Sequence, residues 1–199
     1  MARLQEWDTA GFRAVAATTT PLLDEPLRRL SLAANYSRLS MASAALLGFV
    51  GGARGRRAAV TGLASVAVAS ATANAGAKLL TRRKRPDRQR LAVIERRQIK
   101  MPSSTSFPSG HSASAFAFAS GVRHEWPAAS VPLYVLAVTV AYSRVHTGVH
   151  YPGDVLAGSA IGMGAAAVTR RVVGAVRCRH QATFRSAPPA RTSLPTRAI

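Results

Sequence analysis

The fold is decided by residues 109–169, which read SGHSASAFAFASGVRHEWPAASVPLYVLAVTVAYSRVHTGVHYPGDVLAGSAIGMGAAAVT. This stretch contains three apolar segments, at about 109–122, 128–143 and 154–169, which are separated by short polar turns. Its charged residues are only Arg123, Glu125, Arg144 and Asp154. Apolar runs with their charges collected at the ends are typical of helices that cross a membrane.

Two more apolar segments precede this stretch. The first runs from about Leu39 to Ala53, and the second, Ala58 to Ala77, has 20 residues without a charge, close to the ~20 that cross a bilayer. Between them we predict a tight basic turn at Arg54-Gly55-Arg56-Arg57. In the last apolar segment, Gly158 and Gly162 favour close helix packing. The pattern predicts an all-α fold, a multi-spanning transmembrane helical bundle with about five spans; a soluble helical bundle is the alternative.

The two ends of the chain differ from this central part. Residues 1–34 mix apolar and charged positions around Pro21 and Pro26, which favours either amphipathic helices at the membrane surface or a soluble cap. Residues 177–199 carry five arginines, three prolines and no acidic residue, so we expect a disordered basic tail. The sequence therefore divides into N-terminal amphipathic interfacial helices at 1–34, a membrane domain at 35–176 and the tail.

The composition excludes several classes of protein. The 199 residues include 27 Lys and Arg against 8 Asp and Glu, a formal net charge of +19. The hydrophobic fraction of 48% is too high for a disordered chain, and a single cysteine, Cys178, excludes a multi-cysteine metal site. A nucleic-acid-binding domain would spread its arginines over helix faces and base-reading loops. We therefore expect the bilayer as a partner and no nucleic acid.

Three polar clusters lie at the ends of the apolar segments. They are Lys78 with Arg85-Pro86, then Pro108-Ser109-Gly110-His111, and finally Ser143-Arg144 with His150 and Asp154. Consecutive antiparallel helices return to the same face of a bundle, so the three clusters should meet there. The other basic residues of 81–106 are expected to form a surface that mostly faces solvent or lipid headgroups. They are Arg82, Arg83, Lys84, Arg88, Arg90, Arg96, Arg97 and Lys100.

The residue types in the three clusters suit a phosphate group. Lys78, Arg85 and Arg144 supply fixed positive charges that bind phosphate oxygens. Ser109 is placed to cap a helix whose first N–H groups, at Gly110 and His111, would point at an anion. We predict phosphate binding by Lys78, Arg85, Ser109, Gly110 and Arg144.

The histidines and the aspartate of these clusters suit catalysis. His150 and Asp154 are four residues apart, which puts them on one side of a helical turn. A carboxylate beside one imidazole nitrogen leaves the other nitrogen free as a nucleophile, and His111 could protonate the leaving group. We predict catalytic roles for all three residues. They could also bind zinc, but the surrounding cations would repel a metal ion, so we expect neither a metal nor a cofactor.

The pattern Lys-x6-Arg-Pro, Pro-Ser-Gly-His and Ser-Arg-x5-His-x3-Asp, from Lys78 to Asp154, resembles the signature of the type 2 phosphatidic acid phosphatase superfamily. The N-terminal region and the turn at 51–57 are also similar to the phosphatase half of actinobacterial fusions with a lipid-kinase-like domain. The resemblance implies metal-independent hydrolysis of a lipid phosphate: phosphatidic acid, phosphatidylglycerol phosphate, or a polyprenyl phosphate or diphosphate. It also implies a phosphohistidine at His150, oriented by Asp154, with His111 as the acid.

Two alternatives to this function stay open at the level of the sequence. One is a non-enzymatic basic membrane protein that binds anionic lipid, and the other is a vanadate-dependent haloperoxidase relative. For a lipid phosphatase we expect a multi-pass protein of the cell membrane. Because phosphate binding accounts for some of the cations in 81–106, we expect the active site on the extracytoplasmic face and the tail in the cytoplasm.

Overall fold

The computed structural model describes residues 2–73 and 83–185, which form helices and connecting loops and, within these ranges, no strand. The helices are α1 (Ala2–Ala17), α2 (Pro21–Ala33), α3 (Arg38–Val50), α4 (Gly52–Ala71), α5 (Gly110–Glu125), α6 (Pro127–His146) and α7 (Pro152–Arg185). Two short 3-10 turns lie at Asn35–Ser37 and Glu95–Arg97. The all-α prediction is confirmed. Within the described ranges, one helix, α6, is long and apolar enough to cross a membrane, and the count of five spans stays a prediction.

Two predicted boundaries differ from the structure. The turn before α4 is made by Gly51 and Gly52, and Gly52 takes a φ of +53°, which glycine adopts without strain. The predicted turn at Arg54–Arg57 is therefore wrong, because these residues lie inside the first turns of α4. Helix α7 continues to Arg185, past the predicted start of the tail at residue 177. Residues 186–199, like Lys78, lie outside the described residues.

Helix α5 is the centre of the bundle and packs against α4, α6 and α7. Its buried side presents small residues and Phe118 to the core. The contact with α7 is closest at Gly158 and Gly162. A Cβ atom at Gly158 would lie 2.3 Å from the carbonyl oxygen of Ser109, and one at Gly162 would lie 2.3 Å from that of Ala113. The predicted close packing at these glycines is confirmed, and it ties the start of α7 to the start of α5.

The N-terminal helices pack on the end of the bundle that carries the polar clusters. Helix α2 contacts α6 and the 3-10 turn at Glu95–Arg97, and α1 contacts α6 and α7. Asp24 of α2 is buried and accepts hydrogen bonds from Arg96 (2.5 Å) and Arg97 (2.7 Å). Arg97 is fully buried and also donates to the carbonyl of Thr18, at the junction of α1 and α2.

The prediction that the basic residues of 81–106 face solvent is therefore wrong at several positions. Arg97 is buried against Asp24, and Arg83 is only 21% exposed and pairs with two carboxylates. Arg88 donates to the carbonyls of Gly148 and Ile99. The physical reason is that α1 and α2 bring acidic side chains to this loop, and a buried acid requires a cationic or hydrogen-bonding partner.

Candidate active site

A cavity of about 1010 Å³ opens at the end of the bundle that carries the polar clusters. Five of the predicted site residues line it: Arg85, Gly110, His111, Arg144 and His150. Ser109 and Asp154 are fully buried behind this wall. The lining also includes the turn at Asn35–Ser37 and residues 99–104. The structure thus brings together every predicted site residue that it describes.

His150 is presented by the loop between α6 and α7. The loop turns at Gly148, whose φ is +73°, and the N–H of His150 donates back to the carbonyl of Arg144 at 3.2 Å. The His150 side chain is buried, and its Nε2 lies 3.3 Å from Nη1 of Arg85. A guanidinium can only donate, so Nε2 is the acceptor. The proton of the neutral ring is therefore on Nδ1, the nitrogen that faces Asp154.

Asp154 lies in the first turn of α7, behind His150. Its Oδ2 is 3.6 Å from Nδ1 of His150, which is longer than a hydrogen bond. The carboxylate instead accepts hydrogen bonds from Nη1 of Arg83 at 2.7 Å, from the Ser106 hydroxyl and from the N–H of Tyr151 at 2.9 Å. The negative charge of Asp154 therefore acts on the imidazole without a hydrogen bond. The orientation of the Asp154 carboxylate is set by Arg83, Ser106 and the N–H of Tyr151.

Arg85 and Arg144 place positive charge on the wall of the cavity, which Lys100 also lines. Arg85 is anchored by the carbonyls of Ser104 (2.9 Å), Thr105 (3.2 Å) and Val149 (2.7 Å). Arg144 is buried in the last turn of α6 and donates to the hydroxyl and the carbonyl of Ser31 in α2. Both guanidinium groups therefore keep a defined position on the cavity wall, which favours an anionic ligand.

His111 also lines the cavity and lies in the first turn of α5. Ser109 caps this helix, since its hydroxyl accepts from the N–H of Ser112 at 3.4 Å, and the predicted N-cap is confirmed. Nε2 of His111 lies 2.9 Å from Oδ1 of Asn35, a neighbouring residue of the cavity lining. Because the amide oxygen is an acceptor, Nε2 carries a proton in this arrangement, as a general acid requires.

Sequence reasoning missed Arg83, Ser106 and Asn35. Arg83 is one of several basic residues in a row, and nothing in that run distinguishes it. Ser106 lies in a serine-rich segment, and Asn35 precedes α3 without a recognisable motif. His146 is buried and lies 3.2 Å from Asp24, so it belongs to the contact between α2 and α6.

Burial lowers the pKa of His150 to about 4, and the positive charges of Arg85 and Arg144 act in the same direction, against the carboxylate of Asp154. The ring is therefore neutral at pH 7 in the folded protein. In this neutral ring Nε2 carries no proton, as a nucleophilic nitrogen requires.

This lowered pKa predicts a pH dependence of stability. An unfolded histidine has a pKa of about 6.5, so between pH 6.5 and 4 the unfolded state binds a proton that the folded state does not. Stability should therefore fall as the pH falls through this window, by about 2 kcal/mol between pH 7 and pH 5. Unfolding of the detergent-solubilised wild type and of His150→Gln at both pH values measures the effect. The variant should lose about 2 kcal/mol less than the wild type, and an equal loss in both proteins would contradict the prediction.

Comparisons with known proteins are consistent with this geometry. Residues 58–178 match the model of the PAP2 superfamily. The decaprenylphosphoryl-5-phosphoribose phosphatase of Mycobacterium tuberculosis is 40% identical over 131 residues, which are 65% of this chain and 70% of that protein. The lipid A 1-phosphatase of Rhizobium etli is 42% identical over 57 residues, 29% of this chain and 25% of that protein.

Two crystal structures share the fold. The transmembrane PAP2-type phosphatidylglycerolphosphate phosphatase from Bacillus subtilis superposes with a TM-score of 0.67 at 24% identity, over 88% of this chain and 89% of that chain. LpxE from Aquifex aeolicus gives a TM-score of 0.59 at 23% identity, over 80% of this chain and 92% of that chain. At these identities the likeness concerns the fold alone, and it agrees with the all-helical architecture of the described residues.

Proposed function

The chain belongs to the PAP2 superfamily and is a phosphoric ester hydrolase, and on that premise we propose that it removes a phosphate from a lipid through a phosphohistidine on His150. The observation that carries this proposal is the meeting of two imidazoles and two guanidinium groups, from His111, His150, Arg85 and Arg144, on one cavity. A non-enzymatic lipid-binding protein would need the two guanidinium groups but would not need two histidines in the same cavity.

The first step proposed is attack by Nε2 of His150 on the phosphorus atom. The bond between phosphorus and the lipid oxygen breaks, and Nε2 of His111 gives its proton to that oxygen, so the lipid leaves as an alcohol. Arg85 and Arg144 hold the phosphoryl oxygens in the transition state. Arg85, which now donates to Nε2 of His150, would exchange this acceptor for a phosphate oxygen and so free the nucleophile.

The second step proposed is hydrolysis of the phosphohistidine. His111, now without its proton, takes a proton from water, and the water oxygen forms a bond to phosphorus as the bond to Nε2 breaks. Inorganic phosphate leaves and His150 is restored. Asp154 stabilises the ring through the proton on Nδ1 in both steps. The N–H groups at Gly110 and His111, the cap at Ser109 and the side chain of Lys78 are proposed to complete the phosphate site.

For the substrate, we propose a lipid whose headgroup carries hydroxyl groups next to the phosphate that is removed. The cavity of about 1010 Å³ is far larger than a phosphate. Besides the two histidines and two arginines, its lining combines polar with apolar side chains. The polar ones include Asn35, Ser37, Lys100, Ser103 and Ser104, and the apolar ones include Leu32, Ile99 and Met101. A phosphorylated sugar on a polyprenyl phosphate, as in the name of the Mycobacterium tuberculosis relative, matches this lining. Phosphatidylglycerol phosphate, which carries a hydroxyl on its glycerol, is the second candidate.

The test is phosphate release by the purified protein in detergent with EDTA present. The panel contains decaprenylphosphoryl-5-phosphoribose, phosphatidylglycerol phosphate, phosphatidic acid and a polyprenyl diphosphate. We expect release without added metal, fastest from the two substrates with headgroup hydroxyls. Equal rates on all four would contradict the substrate class. Release from none of them, or halide oxidation with vanadate and peroxide in its place, would overturn the proposed reaction.

We further propose the arrangement of the chain in the cell. The helices of 1–34 lie over the active-site end of a membrane phosphatase domain at 35–176, and the C-terminal residues form a basic segment. The protein is placed in the cell membrane with the active site on the extracytoplasmic face. The support for this orientation is that four cations of 83–106 have other uses: Arg85 is proposed to bind the phosphate, and Arg83, Arg96 and Arg97 pair with Asp8, Asp24 and Asp154. These four therefore do not count as cytoplasmic anchors.

A further inference from the structure

The guanidinium of Arg83 lies between two carboxylates. Its Nη1 donates to Oδ1 of Asp154 at 2.7 Å, and its Nη2 donates to Oδ2 of Asp8 at 2.5 Å and to Oε1 of Gln5 at 2.9 Å. The group also lies over the ring of Tyr151, 4.4 Å from its centroid. An arginine with this many contacts has a fixed orientation, and it therefore also fixes the positions of the carboxylates that it binds.

Arg83 also acts on the second oxygen of Asp154 through its backbone. The N–H of Ser106 donates to the carbonyl of Arg83 at 2.9 Å, and the Ser106 hydroxyl donates to Oδ2 of Asp154. Oδ1 is thus held by the Arg83 side chain, and Oδ2 is held by a serine that the Arg83 backbone positions. Oδ2 is the oxygen that faces Nδ1 of His150.

Asp8 connects this arrangement to helix α1. Its Oδ1 accepts from the N–H of Gly153 at 2.6 Å, at the start of α7. A Cβ atom at Gly153 would lie 2.8 Å from Oδ2 of Asp8, so a residue without a side chain is needed for this approach. Asp8 therefore binds both Arg83 and the backbone beside Asp154.

The net charge of Asp8, Arg83 and Asp154 affects His150. Asp154 and Arg83 alone would neutralise each other, whereas Asp8 adds a second negative charge to the same guanidinium. Together the three side chains carry one net negative charge, and Asp154 presents it to the imidazole. Such a charge stabilises the positive charge that develops on the ring when Nε2 attacks.

We propose that Arg83 and Asp8 are positioning residues for the hydrolysis: they fix the Asp154 carboxylate for His150, and helix α1 is thereby part of the catalytic apparatus. This inference rests on the proposed roles of His150 and Asp154. The gap of 3.6 Å between Nδ1 and Oδ2 makes the carboxylate's position critical, because misplacement by about 1 Å costs about 100-fold in rate.

The test measures kcat and KM of the full chain in detergent, with decaprenylphosphoryl-5-phosphoribose and phosphatidylglycerol phosphate as probes. We expect Arg83→Gln to lower kcat about 10- to 100-fold and to leave KM within about threefold. Asp8→Asn should lower kcat about fivefold. The double variant should be no slower than Arg83→Gln, because both changes disrupt one unit. Glu6→Gln and Lys84→Gln, which alter exposed neighbours, are the matched controls with unchanged kcat.

A pH profile separates positioning from a merely structural role. The charged groups that act on His150 are Arg85, Arg144 and Asp154. His111 and Lys100 line the same cavity, and Arg83 and Asp8 lie behind Asp154. Removing the positive charge in Arg83→Gln should move the acidic limb of kcat/KM to higher pH. Removing the negative charge in Asp8→Asn should move it to lower pH, each by about half a unit. A general loosening of the fold would not produce opposite shifts.

Three results would overturn the inference while the proposed reaction stands. They are unchanged kcat in both variants, additive losses in the double variant, and an acidic limb that does not move, each observed while His150→Ala is inactive. If Arg83→Gln does not give monodisperse protein, the kcat and the acidic limb of Asp8→Asn alone decide the test. An active His150→Ala would instead contradict the proposed reaction itself.

Discussion

Replacing His150 with alanine is expected to reduce phosphate release by about 10⁴-fold or more, because the variant lacks the atom that is proposed to form the bond to phosphorus. His111→Ala should lose about 10²- to 10⁴-fold, since a weaker acid, water, can still protonate the leaving alcohol. The measurement is phosphate release in EDTA on the lipid that the wild type hydrolyses fastest. His124→Ala, an exposed histidine near the other end of α5, is the matched control and should keep the wild-type rate.

The same variant tests the intermediate directly. A phosphorus–nitrogen bond is stable in alkali and labile in acid. We therefore denature the wild type in alkali while it turns over a substrate whose transferred phosphate is radiolabelled, and we expect the label to remain on the protein. His150→Ala should carry no label. If His150→Ala released phosphate within tenfold of the wild type, or carried the label, the proposed nucleophile would be wrong.

The second large effect is expected on stability, at Arg97. Its fully buried guanidinium pairs with the buried carboxylate of Asp24 at 2.7 Å. Removing one partner of a buried pair leaves the other poorly compensated, so Arg97→Met should lower the free energy of unfolding by about 3 to 5 kcal/mol. The measurement is titration of the detergent-solubilised protein with sodium dodecyl sulfate, with helix content followed by circular dichroism.

Two further variants make this prediction specific. The double variant Asp24→Leu/Arg97→Met removes both charges and should be more stable than Arg97→Met alone. Arg90→Met removes an 86% exposed arginine that pairs with Asp87 on the surface, and it should change the free energy by less than about 1 kcal/mol. An equal loss for Arg90→Met and Arg97→Met would show that burial of the pair is unimportant.

The positions of the helices and of the site were accessible from sequence for a common physical reason. Apolar runs determine where helices α5, α6 and α7 lie, and the polar residues with phosphate chemistry stand at their ends. Because antiparallel helices alternate direction, the order along the chain was enough to bring His111, Arg144 and His150 to one face.

The roles of individual loop arginines were not accessible in this way. Arg83 and Arg97 look like their basic neighbours, and their acidic partners on α1 and α2 are 75 and 73 positions away along the chain. No local pattern predicts a contact over such a distance. The sequence signal for these contacts was the two acids themselves. Asp8 and Asp24 are among only 8 acidic residues in the chain, and each can pair with a buried arginine.

The end of α6 shows why hydropathy also misplaces helix boundaries. The apolar segment was expected to end near residue 143, but the helix continues through Arg144 to His146. Ser31 accepts from Arg144, and Asp24 lies beside His146, so polar side chains are satisfied inside the protein. A boundary placed where apolar residues stop is therefore too early wherever another element supplies hydrogen-bond partners.

The backbone contact of α7 with α5 at Gly158 and Gly162 has a consequence for how such enzymes diverge. It joins the two histidine-bearing segments into a rigid frame that no change of side-chain volume can adjust. Tyr36, Ser37 and residues 99–103 line the same cavity outside that frame. Evolution and protein engineering can therefore alter headgroup preference at these two segments, while the reactive centre is inherited unchanged.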